Sequence, residues 1–487
     1  MDAETLVLGG GITGLAAAHR LHRAGRDVLV VERAQRAGGV IDTEEVDGYR
    51  LEWGPHSILA SASEVFELAE ETGAATDLVP ADAAALNRYI IRGGRLCRLP
   101  SGPLSFLTSS ALSAAGKARL LLEPLQRRRR AAEGDPEDDG ESVAEFFRRR
   151  LGRETQEYLV DPFVTGIYAG LTEELEAASA FPKLVEMERS AGSVFLGAIR
   201  HLRQKRRSAP SAGRAPRRRG TWTLAAGMAH LPAGVATALG ARVLLGHEVT
   251  GLEPAAPGWR VTAAGPEGER SLTAREVLIA LPAHRAAPLL APFEPEGADL
   301  LAAIPYAPVA LLHVGARADL LPRALDGFGF LVPRSERMPI LGSIWSSAIF
   351  PGRAPSGRAL LSIFAGGRGD PGALELPEDE LVERSLRGLW SAIGGEFAPE
   401  LVRVRPIPRA IPQHTRGHQR RLRRLAELTA RHPGLALAGG HIGGVSMGNC
   451  IESAWRAASM LLGGTGTPAA PAKPGPTGSR PPGSTAR

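Results

Sequence analysis

The sequence Thr5-Leu-Val-Leu-Gly-Gly-Gly-Ile-Thr-Gly14 joins a short apolar run directly to a cluster of glycines. Residues 15–24, which follow it, are rich in Ala and Leu and predict a helix. Gly9 permits a tight turn out of the strand, and Gly11 lets the backbone approach a pyrophosphate. Gly14 lets the helix pack closely on the sheet, which leaves the helix N-terminus free to hold phosphate. The stretch therefore predicts the first half of a dinucleotide-binding βαβ unit.

The second half of this unit follows at the expected distance. Residues 28–31 form another apolar run, and Glu32 at its end is placed to accept hydrogen bonds from a ribose. A glycine turn alone is weak evidence, but strand, turn, helix, strand and acid together fill the roughly 30 residues that the motif requires. No second turn of this spacing occurs in the chain. A reductase with separate flavin and nicotinamide folds is therefore not expected.

The residues after Glu32 indicate which dinucleotide is bound. Arg33 is basic, and the pair Gly38 and Gly39 follows within a short loop. This pattern resembles the FAD fingerprint of the amine oxidase and protoporphyrinogen oxidase superfamily, which implies FAD rather than NAD. In that superfamily an arginine usually follows the glycine pair, whereas this chain has Val40. One cation that would contact the diphosphate is therefore missing from the pattern.

Length and composition describe a large globular protein. The chain has 487 residues, of which 44% are hydrophobic and 58 residues are glycine, so we expect two or three packed units rich in tight turns. The two cysteines, Cys97 and Cys450, form no CxxC pair, which excludes a disulfide framework and a cysteine zinc site, and we predict no metal. Residues 1–4 lack the features of a secretion signal, and no 18-residue apolar run follows. We expect a cytoplasmic protein without a spanning helix.

The positive charge of the chain is concentrated in one segment. Residues 200–220 carry nine Arg and Lys and no acid, more than the net charge of +6 of the whole chain. We predict a solvated basic loop there, one that could contact anionic lipid at the inner face of the cell membrane. Nucleic acid is not an expected partner, because no aromatic residue interleaves the arginines. Residues 127–141 are expected to form a second exposed connector, and residues 463–487 a disordered tail.

Alternating apolar residues predict a second sheet. Residues 87–91 and 96–100 are expected to pair as a hairpin across a Gly-Gly turn. Further strands of the same sheet are expected at residues 309–314, 328–332, 341–344 and 359–364. Residues 104–200 show mostly helical spacing instead.

The fold class is therefore α/β: a Rossmann-like FAD-binding domain with an inserted substrate sheet domain and a helical, membrane-facing subdomain. Segments that are distant in the sequence are expected to complete the FAD-binding domain. The predicted boundaries are residues 1–82, 221–290 and 432–462 for the FAD-binding domain, 83–103 and 291–431 for the substrate-binding domain, 104–199 for the helical subdomain, 200–220 for the basic loop and 463–487 for the tail.

Several blocks of sequence resemble the protoporphyrinogen oxidase family in the same order. These blocks are residues 163–170, 180–188, 327–333, 341–351 and 440–452. The resemblance covers about residues 4–462, apart from the basic insert. It implies the oxygen-dependent oxidation of protoporphyrinogen IX to protoporphyrin IX in haem biosynthesis, with hydride transfer to a noncovalent FAD and release of peroxide. The protein would orient the substrate against the flavin and exclude other reactions.

The same resemblance implies roles for individual residues of this chain. The implied flavin-side residues are Gly9, Gly10, Gly11, Ile12, Thr13, Gly14, Glu32, Arg33, Gly38, Gly39, Gly54, Pro55, His56, Ser57, Val249, Gly440, Val445, Ser446 and Met447. The implied substrate-side residues are Arg88, Gly166, Phe330, Leu331 and Trp345, the last at a place where the family often has Phe. Arg88 is expected to hold a substrate propionate, because a guanidinium can bind a carboxylate through two hydrogen bonds.

The environment of Arg88 also favours an anionic partner. Arg88 lies on an apolar strand with no acid within five residues, so we expect a buried cation that needs a ligand carboxylate. No side chain is assigned to catalysis, because the chemistry takes place on the flavin. His247, His313 and His441 fall in segments expected near the site, where a structural histidine is a more common finding than a proton acceptor.

Three other functions stay open. A coproporphyrinogen oxidase of the same fold would need more cations for four propionates, and the sequence does not count those. An amine oxidase would need paired aromatic side chains beside the flavin, but no Tyr follows Tyr306. An FAD-stabilised scaffold could bind a tetrapyrrole or a membrane without catalysis. An oligomeric state of monomer or homodimer is also left open.

Overall fold

The computed structural model describes residues 1–100, 102–126, 140–207 and 218–463. The expected connector and tail therefore fall almost wholly outside the described residues. Within these ranges the strands are β1 (Thr5–Leu8), β2 (Val28–Val31), β3 (Thr43–Val46), β4 (Tyr49–Glu52), β5 (Ile58–Leu59), β6 (Leu78–Pro80), β7 (Arg88–Arg92), β8 (Arg95–Arg98), β9 (Thr221–Leu224), β10 (Val243–Leu244), β11 (Glu248–Ala255), β12 (Gly258–Gly265), β13 (Gly268–Ala274), β14 (Glu276–Ile279), β15 (Tyr306–Arg317), β16 (Gly329–Leu331), β17 (Gly342–Ile344), β18 (Arg358–Gly366), β19 (Leu401–Pro412) and β20 (Leu435–Leu437).

Helices alternate with these strands along the chain. In the same ranges they are α1 (Ile12–Arg23), α2 (Ser63–Glu71), α3 (Pro103–Thr108), α4 (Ala114–Leu121), α5 (Val143–Leu151), α6 (Arg153–Thr155), α7 (Asp161–Tyr168), α8 (Ala177–Ala180), α9 (Pro182–Ala191), α10 (Val194–Arg207), α11 (His230–Leu239), α12 (Ala283–Leu290), α13 (Pro295–Ala302), α14 (Ser346–Ile349), α15 (Glu378–Ile393), α16 (His418–Thr429), α17 (Gly440–Gly443) and α18 (Met447–Leu461).

A five-stranded sheet in the order β10-β2-β1-β14-β20 carries the glycine turn, and all of its neighbours are parallel. Its strands come from three distant parts of the chain, as the sequence predicts. One face packs against α1, α2, α11 and α18, and the other against α12 and the antiparallel sheet β11-β12-β13. Because both faces are covered, every residue of β1 is buried. The carboxyl ends of the strands form the edge at which ligands bind in such sheets.

A seven-stranded sheet in the order β19-β15-β18-β17-β16-β7-β8 forms the second layer. The predicted hairpin is confirmed, with Arg92 opposite Arg95 across the Gly-Gly turn. β15 and β18 are longer than expected because the whole of β18 pairs with residues 309–317 of β15. One face of the sheet packs on α15. The other face contacts the β3-β4 hairpin and α7, so it looks toward the rest of the protein.

The helices α5 and α7 to α10 form a separate bundle around Val143, Phe146, Phe147 and Val164. This arrangement agrees with the helical spacing of the sequence. The prediction of a basic loop at residues 200–220 is partly wrong, because residues 200–207 continue helix α10. Residues 208–217 lie outside the described residues. The chain enters this helix through Ser193, whose hydroxyl donates to the buried carboxylate of Glu123.

None of the helices in the described part of the chain is both long enough and apolar enough to cross a bilayer.

Candidate functional site

Gly11 occupies the turn between β1 and α1, directly before the first helical residue. A Cβ atom built on Gly11 would meet no atom within 4 Å, whereas one on Gly14 would lie 1.9 Å from the carbonyl oxygen of Gly9. The packing of helix on strand therefore requires glycine at position 14. It does not require glycine at position 11, so the open side of that residue fits a ligand at the helix N-terminus. Ile12 and Thr13 form the buried first turn of α1 behind it.

Glu32 lies at the end of β2 with its carboxylate held in place. The side chain is buried, and Oε2 accepts a hydrogen bond of 2.6 Å from the N–H of Gly10. Oε1 accepts one of 2.8 Å from the N–H of Ala34. The N–H of His247 donates to the Glu32 carbonyl. This hydrogen bond places β11, which carries the half-buried Val249, beside Glu32. The carboxylate oxygens keep lone pairs that fit ribose hydroxyls.

Two further segments lie against the glycine turn. The N–H of Gly38 donates to the Gly10 carbonyl at 2.8 Å, and a Cβ on Gly39 would lie 3.2 Å from the Cα of Gly11. A Cβ on Gly54 would lie 2.4 Å from the carbonyl oxygen of Val40, so residues 54–57 pack closely on this loop. Pro55 and Ser57 are half-buried and His56 is buried, whereas Arg33 and Val40 are exposed.

The start of α18 meets the start of α1. Ser446 caps α18, and its hydroxyl accepts a hydrogen bond of 3.2 Å from the N–H of Asn449. Cys450 on α18 packs in the apolar core around α1, and its thiol donates to the Gly444 carbonyl at 3.7 Å. Met447 packs in the core around α1, and Val445 packs against the helical bundle. Together with Gly440, which starts α17, these residues bring the distant flavin-side segments to one edge of the parallel sheet.

The substrate-side residues divide between the two faces of the seven-stranded sheet. Arg88 pairs with Gly329, and Ile90 with Leu331, so Arg88 and Leu331 share one face. A Cβ on Gly166 of α7 would lie 2.6 Å from Leu331 Cδ2, so α7 covers this face closely. We call the region on this side of the sheet, bordered by α7 and by residues 52–57, the cleft.

Phe330 and Trp345 lie on the opposite face, and their expected place against the substrate needs correction. They are 2% and 0% exposed and pack in the core beneath α15. Because successive side chains of a strand point to opposite faces, Phe330 cannot share the face of its neighbour Leu331. Trp345 therefore contributes no aromatic surface to the cleft.

Arg88 reaches the cleft, but it is not the buried cation that the sequence suggests. Its side chain is exposed at the end of β7, and its guanidinium lies 5.1 Å from the ring centroid of Phe328. None of the described carboxylates pairs with it. A cation–π contact thus orients the guanidinium while leaving its hydrogen-bond donors available.

Phe364 is a cleft residue that the sequence analysis did not single out. It lies opposite Gly342 and Leu311 in the sheet, on the face of Leu331, and is half-buried. Its ring centroid is 5.4 Å from that of His56, so it brings the flavin-side segment to the cleft. Period-two alternation along β18 could have indicated it, but only once the register with β17 was known.

Burial keeps three histidines near the site in the neutral form. Burial lowers the pKa of His56 to about 4 and that of His441 to about 3. Burial also holds the pKa of His313 well below its usual range. His247 Nδ1 lies 2.8 Å from the Leu245 carbonyl oxygen, so it bonds within its own loop. Among the described residues, no group of three or more His, Cys, Asp or Glu is arranged to hold a metal ion.

The family model of the flavin containing amine oxidoreductases matches residues 12–462. The chain belongs to this family. The chloroplastic protoporphyrinogen oxidase of Oryza sativa subsp. japonica is 35% identical over 482 residues, which cover 95% of this chain and 88% of that protein. The coproporphyrinogen III oxidase of Bacillus subtilis (strain 168) is 27% identical over 476 residues, covering 94% and 98%.

A solved structure agrees with this membership. A crystal structure from Exiguobacterium sp. 255-15 superposes with a TM-score of 0.76 at 25% identity and covers 95% of this chain and 99% of that one. The comparisons confirm the predicted α/β fold and the resemblance to protoporphyrinogen oxidases. As a member of this family, the chain is a flavin-dependent oxidoreductase.

Proposed function

We propose that this chain oxidises protoporphyrinogen IX to protoporphyrin IX, with noncovalent FAD as cofactor and molecular oxygen as electron acceptor. The observation that carries the proposal is the cleft face of the seven-stranded sheet. An apolar strip of Leu331, Ile344 and Phe364 ends at the guanidinium of Arg88. Protoporphyrinogen IX is a broad apolar ring system with two propionates on one side, so its shape and charge match this strip.

The nucleotide turn supports FAD as the flavin. Glu32 is placed for the ribose of the adenosine half, and the open side of Gly11 suits the pyrophosphate. Bound FAD would supply a hydride acceptor that oxygen can reoxidise with release of peroxide. The protein residues would hold the ring system against the apolar strip, in which Leu331 is backed by Gly166 of α7, and exclude water from it.

Two features favour noncovalent attachment. Burial raises the pKa of the Cys450 thiol to about 11, so the thiolate that a covalent bond needs is scarce. Cys97, the other cysteine, is buried in β8 against Ile90 and Ala111, away from the glycine turn.

Charge on the cleft face favours protoporphyrinogen over coproporphyrinogen. Arg92 and Arg358 lie on the same face, but Arg92 pairs with Glu154 at 2.5 Å and Arg358 with Glu400 at 2.5 Å. On the described β7, β16, β17 and β18, Arg88 is then the one cleft-facing arginine without a carboxylate partner. One such cation suits a substrate with propionates on one side better than a substrate with four of them.

The deciding experiment is oxygen uptake by the purified holoenzyme with each substrate offered separately. We expect protoporphyrinogen IX to give the higher kcat/KM, with formation of the fluorescent porphyrin. Faster turnover of coproporphyrinogen III would assign the chain to that reaction instead. Oxygen uptake with amines alone would indicate an amine oxidase, and no uptake with any of them would indicate a scaffold.

We also propose that a peripheral contact with anionic membrane holds this cytoplasmic enzyme at the inner face of the cell membrane. An exposed apolar patch on α4, the turn after it and α10 supports this contact. The patch consists of Leu121, Leu122, Leu125, Leu196, Ile199 and Leu202, which are 46–78% exposed. Exposed Arg200 and Arg203 lie on the same helix. Apolar side chains flanked by cations are the chemistry that an anionic bilayer surface binds.

A buried network holds this patch in a fixed shape. The Glu123 carboxylate accepts hydrogen bonds from the N–H groups of Val194 at 2.9 Å and Phe195 at 3.3 Å, which begin α10. It also pairs with Arg150, and both side chains are 0% exposed. Because Glu123 lies directly after Leu122, this pairing fixes the turn against α10 and keeps the apolar side chains of both outside.

A further inference from the structure

His313 lies in the middle of β15 and is 0% exposed. It pairs with Ser362 in the neighbouring strand, so its ring lies on the cleft face of the seven-stranded sheet. Its Nε2 is 3.1 Å from the carbonyl oxygen of Glu52, and its Nδ1 is 3.0 Å from the hydroxyl of Ser362. A carbonyl oxygen only accepts, so Nε2 carries the proton and donates to Glu52. Nδ1 then accepts from Ser362.

The hydrogen bonds continue beyond Ser362. Its oxygen lies 3.0 Å from the hydroxyl of Ser346, which is free to donate because the Ser362 proton is used toward His313. A directed chain thus runs from Ser346 through Ser362 and His313 to the backbone of Glu52. Both serines are buried, so the whole series of hydrogen bonds is shielded from water.

This series of hydrogen bonds joins the two sides of the cleft. Glu52 ends β4, and residues 54–57, which carry the proposed flavin contacts, follow directly. Ser362 lies two residues before Phe364 in β18, on the same face. The rings of Trp53 and His56 contact the His313 ring at centroid distances of 4.6 Å and 5.9 Å. The imidazole therefore touches the flavin-side segment through both its nitrogen and its ring.

We propose that His313 is a positioning residue that sets the place of the flavin-side segment 52–57 relative to the substrate strand β18. Apolar packing alone is non-directional, whereas a buried hydrogen bond loses its partner when the segment slides. Both nitrogens are committed to protein partners, so His313 does not take a proton from the substrate. This inference rests on the proposed flavin contacts of residues 54–57.

Three substitutions separate positioning from mere filling of space. His313→Leu keeps an apolar side chain of moderate volume and removes both hydrogen bonds. His313→Gln places an amide N–H near the position of Nε2 and retains the donation to Glu52. His313→Asn is shorter and can keep only the partner at the position of Nδ1.

We expect His313→Leu to raise the Kd for FAD about five- to tenfold, as loss of a buried hydrogen bond implies. The visible flavin spectrum of the holoenzyme should shift, and kcat should fall while KM for the porphyrinogen changes less than twofold. His313→Gln should recover most of the Kd and the spectrum, and His313→Asn should not. Wild-type Kd, spectrum and kcat in the Leu variant would overturn the proposal.

Other variants keep the outcome interpretable. If His313→Leu does not fold, Ser362→Ala removes the donor to Nδ1 and should shift the flavin spectrum away from that of the wild type; an unchanged spectrum there overturns the proposal. His19→Gln replaces another buried histidine, on α1, and should leave the Kd unchanged. Gly11→Val tests the cofactor site itself. Loss of FAD in Gly11→Val together with wild-type behaviour of His313→Leu would reject this inference alone, whereas FAD retained in Gly11→Val would reject the proposed cofactor site.

Discussion

The carboxylate of Glu32 and the backbone N–H of Gly10 are joined by a hydrogen bond of 2.6 Å at the edge of the parallel sheet. A Cβ on Gly10 would lie 2.7 Å from the Cβ of Glu32, so this contact needs glycine in the turn. The acid is thereby oriented before any ligand arrives, which reduces the ordering that binding requires. The turn and the acid act as one prearranged site, and its parts can be tested separately.

Gly11→Val should abolish flavin binding, because its side chain would fill the open space that the pyrophosphate needs. The apoprotein should still fold, with a loss of about 1 kcal/mol in the free energy of unfolding, since a branched residue is a poor helix cap. Gly14→Val is the matched contrast, because its side chain collides with the Gly9 backbone and should disrupt folding itself. Flavin absorbance and urea unfolding of both variants measure the difference. A Gly11→Val protein that purifies with full FAD would contradict the assignment of the turn.

Arg88→Ala should raise KM for protoporphyrinogen while FAD content and stability stay as in the wild type. Hydrogen bonds to a charged group contribute about 1.5 to 3 kcal/mol, which corresponds to roughly a 10- to 150-fold change. Arg88→Lys should recover only part of this, because an ammonium lacks the two-pronged geometry of a guanidinium. Arg95→Ala, on the exposed end of the neighbouring strand, is the control. Steady-state kinetics that show the same KM for the Ala variant and the wild type would place the propionate contact elsewhere.

Acid should destabilise the protein between about pH 6.5 and pH 4. Burial lowers the pKa of both His56 and His414 to about 4, whereas an unfolded histidine titrates near 6.5. The unfolded chain therefore binds more protons in this window, and the free energy of unfolding decreases as the pH falls.

His414→Phe isolates one of these groups. It keeps a ring against His418, which stacks on His414 at 4.2 Å, but it cannot titrate. The slope of unfolding free energy against pH should decrease by up to about 1.4 kcal/mol per pH unit, the contribution of one proton. Urea unfolding at pH 7, 6 and 5 measures this slope. Equal slopes for the two proteins would show that His414 titrates normally in the folded state.

The flavin should leave the protein completely when the protein is precipitated with acid. The Cys450 thiol is buried and stays protonated at neutral pH, so we expect no thioether to the cofactor. Cys450→Ala should therefore retain flavin to the same extent as the wild type before precipitation. Yellow colour in the washed pellet of the wild type, absent from that of Cys450→Ala, would demonstrate covalent attachment.

Vesicle sedimentation tests the apolar patch. A triple change of Leu196, Ile199 and Leu202 to Ser should reduce pelleting with anionic vesicles, while oxygen uptake on soluble substrate stays unchanged. High salt should weaken binding of the wild type, since the contribution of about 1 kcal/mol per cation is screened. The matched control is Leu320→Ser, which removes an exposed leucine far from the helical bundle in the sequence. Equal pelleting of the triple variant and the wild type would show that the apolar patch does not bind the membrane.

Much of the fold follows from local sequence signals. The turn at residues 9–14 was predictable because a tight turn, a close approach and a packed helix each need glycine at a given position. The hairpin around residues 93–94 was predictable because two alternating runs flank a Gly-Gly pair. The structure of residues 200–207, the first part of the basic segment, was not predictable, because these residues complete a helix whose start is held by Glu123 from another part of the chain.

The residues that face the cleft could not be predicted from local sequence patterns. The sequence by itself determined the parallel pair of β1 and β2, the glycine turn and the acid beside it, since these depend on backbone geometry within about 30 residues. Only the tertiary structure decided that Phe364 faces the cleft while Phe330 and Trp345 do not. It also decided that Arg88 is exposed against Phe328 and that His313 joins the two walls. The physical reason is that a one-residue change of register turns every side chain of a strand to the other face, and register is set by pairing with strands far away in the sequence.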